Sequence, residues 1–559
     1  MTRPDAVDGG PATGRCNRPV SHDVVVVGAG FGGLIATARF RRMGLDTVCL
    51  DAGEGPGGVW TRNRYPGARV DSSSLYYTLS HDRDVYAGWS PDELYADAAE
   101  MRRYFDWVVP ELGVADLVRH GVTLTAARFD TARAHWDLRT ADGEELTTRY
   151  LVLAVGSLTV PNGLDLPGAE LFGGRVVHTS AWPRDDVPER FGRVGVVGTG
   201  SSGVQVITEL GRVAERLTVF QRTPQYSLPL GNRPLAPDER AEVARRYDDV
   251  RRAVFASERG RPLPSHRARL ADLSYPEQQR QLEAKWREGG SAILDSFTDL
   301  LTDPAANDVF SEFVRGRIRA TVDDPRTAEM LVPRYGIGAK RVVRDSGFYE
   351  TFNRPNVELV SVREDPIVGL DRTGLTTERR HVDLDLLVLA TGFDAMTGPL
   401  FAIDVVGREG DTLREHWDSG RAIATMGGLM ADGFPNLFLI GGVQTPAVHV
   451  SVPALNEFMV EKASEVVAFA ETHGIATMEP GRELCTRWAA TVDEVGRSSI
   501  VATVDSWYNG GNVPGKPRSF LTYLGGFVRF QEFLREVSPA DLADGRTAGE
   551  PVGVHARGY

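Results

Sequence analysis

The sequence predicts an α/β protein in which two Rossmann-like dinucleotide-binding units carry a helical insertion. Three observations predict it. Two glycine-rich loops of the form GxGxxG, at 28–33 and 198–203, each stand between an apolar strand and a helix. Two similar strand endings, "LVLAVGSLTVP" at 151–161 and "LVLATGFDAMTGP" at 387–399, bracket the second loop. Charged helix formers dominate 225–333, where strand signal is scarce.

The first unit opens with "HDVVVVGAGFGGL", a β-branched run leading into Gly28, Gly30 and Gly33. Gly28 suits the tight turn, Gly30 the close approach of a pyrophosphate, and Gly33 close helix packing. The helical spacing of "LIATARFRRMG" ends at Gly44, and a second strand, "DTVCLDAG", places Asp51 where a carboxylate would accept ribose hydroxyls. A phosphate would face the helix N-terminus.

The second unit repeats the plan in "RVGVVGTGSSGVQVITELG", with Gly198, Gly200 and Gly203. Its second strand ends in Gln221-Arg222-Thr223 and lacks the acid. An arginine there accommodates a 2′-phosphate, so Arg222, with Thr223 beside it, predicts NADPH as the ligand.

These signals divide the chain as follows. A flexible tail (1–21) precedes the first nucleotide unit (22–150); the second unit (151–224) is interrupted by the helical insertion (225–333) and resumes at 334–385. The first unit is completed by 386–537, and a second flexible tail spans 538–559.

Composition narrows the function classes. The 559 residues carry a net charge of −13, which disfavours a sequence-independent grip on nucleic-acid phosphates. No apolar run reaches the roughly 20 residues of a membrane span, and the first 21 residues lack the apolar core of a secretory signal. Cys16, Cys49 and Cys485 are widely spaced and odd in number. They fit neither a disulfide framework nor a metal site, and they point to a reducing, cytoplasmic setting. Only four lysines occur: Lys285, Lys340, Lys462 and Lys516.

Between the loops, "FGGRVVHTSAWP" at 172–183 sets Phe172, Gly174, His178, Trp182 and Pro183 at the spacing FxGxxxHxxxWP. That pattern between two GxGxxG loops resembles the fingerprint of the Baeyer–Villiger monooxygenases. Further stretches resemble the same family: "GGVWTRNRYPGARVDS" (57–72), "IGAKRVVRDSGFYETFNRPNVELV" (337–360), "LATGFD" (389–394), "GFPNLFLIGG" (433–442) and "SWYNGGNVPGKPR" (506–518). The resemblance spans roughly 22–535 and is nearest to the branch acting on cyclic ketones and steroids.

The resemblance implies FAD in the first unit, NADPH in the second, and insertion of one oxygen of O2 beside a ketone carbonyl to give an ester or lactone. Such chemistry calls for a fixed cation beside developing oxyanions, and arginine suits the task because it stays charged and donates in a planar fork. By resemblance that cation is Arg341, and Asp71 is the carboxylate orienting it. Lys340 matches a second cation for the 2′-phosphate, and Trp507 a residue holding the coenzyme. Trp60 and Tyr65 match flavin-proximal aromatics. His178 matches a residue of the linker between units, so the fingerprint reads as a hinge.

Some positions depart from the family pattern. Thr61 stands where a tyrosine is common, and "GGVQTPAVHVSVP" (441–453) replaces a Gly-Pro-Gly-Ser-Pro-Ser type loop. Thr61, Gln444, Thr445 and His449 are therefore candidate pocket walls. They predict a bulky, functionalised cyclic ketone from specialised metabolism. Two other readings stay open at this level: flavin-dependent oxygenation of nitrogen or sulfur, and a non-catalytic flavoprotein that binds NADPH.

Overall fold

The computed structural model describes residues 20–184, 191–264 and 267–543. Residues 1–19, with Cys16 and most of the expected first tail, and 544–559 of the second lie outside it.

Both nucleotide units use one construction, and the two strand endings explain it. In the first, β1 (Val20–Val27) pairs in parallel with β2 (Thr47–Asp51) on one side and β6 (Glu145–Leu153) on the other. Gly28 has φ +105°, and a Cβ there would lie 2.4 Å from the carbonyl oxygen of Ala154, just past the end of β6. In the second, β8 (Phe191–Val197) pairs in parallel with β9 (Ala214–Gln221) and β16 (Leu386–Leu389). Gly198 again has φ +105°, and its Cβ would lie 2.5 Å from the Ala390 carbonyl oxygen, just past β16. Each LVLA segment thus ends against the first glycine of its own phosphate loop.

That arrangement corrects two boundaries. Residues 151–153 complete β6 and belong to the first sheet, whereas Leu386–Leu389 form a strand of the second. A strand is assigned by the register of its ladder, and two apolar runs of near-identical sequence cannot reveal which sheet each one enters.

The first sheet has eight strands. Its main path runs β17 (Asp404–Val406), β4 (Leu124–Asp130), β5 (His135–Thr140), β6, β1, β2, β3 (Val118–His120), with β18 (Leu437–Leu439) also pairing β6. The second has five, in the order β12 (Val357–Ser361), β9, β8, β16, β7 (Arg175–His178). A short antiparallel sheet of β13 (Ile367–Leu370), β14 (Gly374–Thr377) and β15 (His381–Asp383) follows β12. The insertion is helical as predicted, with Pro237–Arg245, Tyr247–Phe255, Tyr275–Glu288 and Pro304–Thr321 among its helices. It starts later than expected, because β10 (Ser227–Pro229) pairs with β11 (Val343–Asp345).

The chain crosses between units twice, and the crossings pair with each other. Asn162 N donates to Gly392 O (2.8 Å), Asp394 N to Val160 O (2.9 Å) and Met396 N to Ser157 O (2.9 Å). A third segment ties in: Asn512 Nδ2 donates to Phe393 O (2.9 Å), and Lys516 bonds the Asp394 carboxylate and the Ala395 carbonyl.

The tails are also trimmed. β1 begins at Val20, and Ser538–Ala543 pack on the body, with Glu479 N donating to Leu542 O (2.8 Å) and Leu542 1% exposed. An apolar side chain with somewhere to bury outweighs the polar composition around it.

Candidate active site

The phosphate loops fit dinucleotides. A Cβ on Gly33 would fall 1.6 Å from Gly28 O, and one on Gly203 2.2 Å from Gly198 O, so each helix backs tightly onto its loop. By contrast a Cβ on Gly30 would meet only Gly58 Cα, at 3.9 Å, and one on Gly200 nothing within 4 Å. Space is open where a pyrophosphate would lie. Neither helix has a side-chain N-cap, which leaves its first N–H groups free for an anion.

Asp51 accepts Ala29 N–H (2.6 Å) and Gly53 N–H (2.7 Å), so its first task is to brace the phosphate loop. Trp60 is 8% exposed, with its ring edge-on to Tyr77 at 6.0 Å, and its buried indole N–H has no acceptor among the described residues. A buried donor without a partner fits a bound ring system that supplies one. Tyr65 reaches the other unit. Its hydroxyl donates to Gln205 Oε1 (2.7 Å) on the second unit's phosphate-loop helix, while Gln205 Nε2 donates to Arg69 O (3.1 Å). Tyr65 is bonded at the junction of the units.

A cation cluster marks the second loop. Arg222 is exposed, and Lys340 is anchored on the Asp505 carbonyl. Burial, then Arg222, then Arg363 push the Lys340 ammonium below its ordinary value, against Asp505. Arg363 Nη2 also bonds Thr223 Oγ1 (3.2 Å). Three like charges in proximity are relieved by an anion, so the cluster fits a 2′-phosphate. Arg363 escaped sequence reading because only the β12–β9 register, extended by Val362 N to Gln221 O (2.9 Å), brings it to Thr223. Trp507 follows the Lys340 anchor and packs on Tyr508 at 4.6 Å.

Between the units lies the charged centre. Arg341 Nη2 donates to Asp71 Oδ2 (2.5 Å) and Nη1 to Val448 O (2.5 Å). Arg344 Nη1 donates to Asp71 O (2.9 Å), stands 3.5 Å from Asp71 Oδ2, and bonds Gly290 O through Nε (2.9 Å). Burial alone would push the Asp71 carboxyl up; Arg341 and then Arg344 outweigh it and hold it at about 2. Asp71 in turn holds the Arg341 guanidinium above its ordinary value. Tyr508, 1% exposed, lies beside Arg341, and its ring meets His449 at 5.7 Å. Burial, then Arg259 and Arg341, push the His449 imidazole well below its ordinary value, so it is neutral at pH 7. Arg344 and Tyr508 were missed because their neighbours in sequence give no sign of the contact.

The fingerprint sits on the crossing segments. A Cβ on Gly174 would lie 2.5 Å from Phe172 Cζ and 2.6 Å from Asp385 O, which explains the Phe-x-Gly pair. His178 ends β7 with its ring edge-on to Phe393 at 5.7 Å, and its Nδ1 lies 2.7 Å from Ser180 Oγ. Trp182, ahead of Pro183, is buried against Phe191 at 6.4 Å.

Three of the four expected pocket walls spend their polar groups on neighbouring protein groups. Gln444 (φ +59°, 3% exposed) donates from Nε2 to Ile423 O (2.9 Å) and accepts from Thr425 Oγ1 (2.6 Å). Thr445 is fully buried, its hydroxyl on Gly442 O (2.7 Å). Thr61 Oγ1 donates to Pro56 O (2.5 Å), closing its own turn. Buried polar groups satisfy each other before they are free for a ligand. Only His449 joins the charged centre.

Among the described residues no helix is long and apolar enough to cross a membrane. The family model described as pyridine nucleotide-disulphide oxidoreductase matches residues 22–239. The two described cysteines, Cys49 and Cys485, are free and buried. A Baeyer–Villiger monooxygenase of Pseudooceanicola batsensis is 34% identical over 92% of this chain and 94% of its own. A phenazine N-monooxygenase of Lysobacter antibioticus is 37% identical, covering 94% and 97%. The solved structure of an oxidized steroid monooxygenase bound to NADP superposes with a TM-score of 0.88 at 42% identity, covering 93% and 97%.

Proposed function

The chain belongs to the Baeyer–Villiger monooxygenases, NADPH-dependent flavoproteins that use FAD, and from that premise we propose that it oxygenates a bulky cyclic ketone to an ester or lactone. The observation that carries this reading is the Arg341 guanidinium, held by Asp71 and the Val448 carbonyl between the two nucleotide units. Bound FAD, reduced by NADPH, supplies the oxygen activated from O2.

In this reading the protein's own groups do three things. Arg341 has five N–H donors, and those not engaged by Asp71 and Val448 face the oxyanion that forms at the substrate carbonyl. Asp71 and Arg344 fix the guanidinium beforehand, so that little reorganisation accompanies the reaction. Arg222, Lys340 and Arg363 grip the coenzyme phosphate, with Trp507 beside them, while the phosphate loops of Gly28–Gly33 and Gly198–Gly203 hold the two pyrophosphates. His178 and the crossing segments couple the units. The 42% identity to a steroid monooxygenase supports a polycyclic ketone.

The relative named for N-oxygenation of phenazine supports a second reading, oxygen transfer to a heteroaromatic nitrogen. Incubating the protein with NADPH, O2 and either steroid ketones, cyclohexanone or phenazine separates them. Lactone from the steroid ketones, formed more efficiently than caprolactone, is the expected result. N-oxide formation with no lactone, or hydrogen peroxide as the sole product, overturns it.

A further inference from the structure

The charged centre holds one more arginine than the reaction uses. The turn after helix Tyr247–Phe255 is pressed onto the loop that touches Arg341: Ser451 N donates to Arg259 O (3.0 Å), and a Cβ on Gly260 (φ +61°) would lie 2.7 Å from Val450 Cγ1. Val448, three residues before Ser451, carries the carbonyl that Arg341 engages. One short loop therefore meets the Arg341 guanidinium at one end and the Arg259 backbone at the other, with His449 between.

The surrounding arginines are accounted for. Arg341 and Arg344 share Asp71, and Arg261 grips Asp295 with two bonds (2.6 and 3.1 Å). Arg259 is half-buried as a residue, and its side chain forms no ion pair among the described residues. Of the acids acting on it, Asp295 is already claimed by Arg261, and Glu258 answers first to Arg529. Burial and then Arg261 press its guanidinium down to about 10, and Arg259 is the foremost charge acting on His449, ahead of Arg341. A half-buried cation among other cations is stabilised by an anion delivered from outside.

We propose that Arg259 is a substrate-reading residue, and that the ketones this protein oxygenates best carry a carboxylate distal to the reacting carbonyl. Arginine's planar fork matches a carboxylate in two parallel bonds. Arg341 is left to the reacting oxygen. The inference rests on the ketone-oxygenating reading and narrows its substrate class to keto acids.

The test uses the holoenzyme with two keto acids of different reach, dehydrolithocholate and pinonate, each against its methyl ester. At least one acid is turned over with kcat/KM about ten- to a hundred-fold above its ester, the range for hydrogen bonds to a charged group. Arg259→Ala removes that preference through KM for the acid, and Arg259→Lys keeps part of it. Flavin absorbance and melting temperature show that both variants are folded. Equal or better turnover of both esters, an acid preference that survives Arg259→Ala, or a loss confined to KM for NADPH overturns the assignment. Ester turnover without acid preference sinks this assignment alone; no oxygenated product from any of the four compounds, neither a lactone from the steroid ring ketone nor an acetate ester from the pinonate acetyl group, sinks the ketone reading with it.

Discussion

Arg341 and Asp71 form a 2.5 Å ion pair across 270 positions of chain. Asp71 follows the first phosphate loop and Arg341 precedes β11, which pairs with β10. The pair exists only when the two nucleotide units are docked, so the proposed oxyanion site and the interdomain geometry form together.

Arg341→Ala is expected to retain FAD and to consume NADPH, while ester formation falls about 100- to 1,000-fold, the usual effect of removing one preorganised oxyanion donor. Asp71→Ala falls in the same direction. Product analysis against hydrogen peroxide release is the measurement, and ester formation at near-parental rate in Arg341→Ala refutes the role.

Arg363→Ala is expected to raise KM for NADPH about ten-fold or more, as for loss of a charged hydrogen bond, and to leave KM for NADH in place. Arg222→Ala behaves alike. Steady-state kinetics with both coenzymes reads this out; an equal effect on NADH removes Arg363 from the phosphate cluster.

Lys516 is 8% exposed on its side chain and ties the 512–516 segment to Asp394 in the crossing. Lys516→Ala and Asp394→Ala are each expected to increase the fraction of NADPH spent as hydrogen peroxide, because the coenzyme-side loop loses its anchor on the hinge. The double variant adds little to either single one, with a coupling of about 1 kcal/mol or more in denaturant unfolding. Strict additivity rejects the clasp.

Glu479 supplies a pH-dependent term. Its carboxyl pairs with Arg408 (2.9 Å), yet Oε2 is buried without a partner, and burial outweighs Arg408 to push it up to about 7. The folded value lies above the unfolded one. The neutral carboxyl's contribution is therefore fully present below the ordinary 4.5 and lost as pH rises toward 7. Glu479→Gln, permanently neutral, gains on the parent by up to about 3 kcal/mol over that window. Urea titrations at both ends measure it, and a pH-independent difference contradicts the assignment.

Gln444→Ala is expected to lower stability by about 1–3 kcal/mol through unpaired buried groups, with the ranking of ketones unchanged. His449→Ala, at the charged centre, alters that ranking. Comparing kcat/KM across steroid ketones and cyclohexanone for both variants decides which of the two faces substrate.

Features whose physics is local were legible in the chain alone. A glycine forced to positive φ, a β-branched run before it and a helix after it are consecutive in the chain, so both phosphate loops and the α/β class were legible. So was the absence of an acid at Arg222. Tertiary structure alone decided the contacts made across the fold. Which sheet receives Leu386–Leu389, which arginines join Asp71, and how Arg363 reaches Thr223 depend on ladder register and domain docking. It also decided which polar residues are spent internally. Gln444 and Thr445 carry the same hydrogen-bonding groups whether they line a pocket or brace a loop, and only the carbonyls they meet, on Ile423 and Gly442, settle the difference.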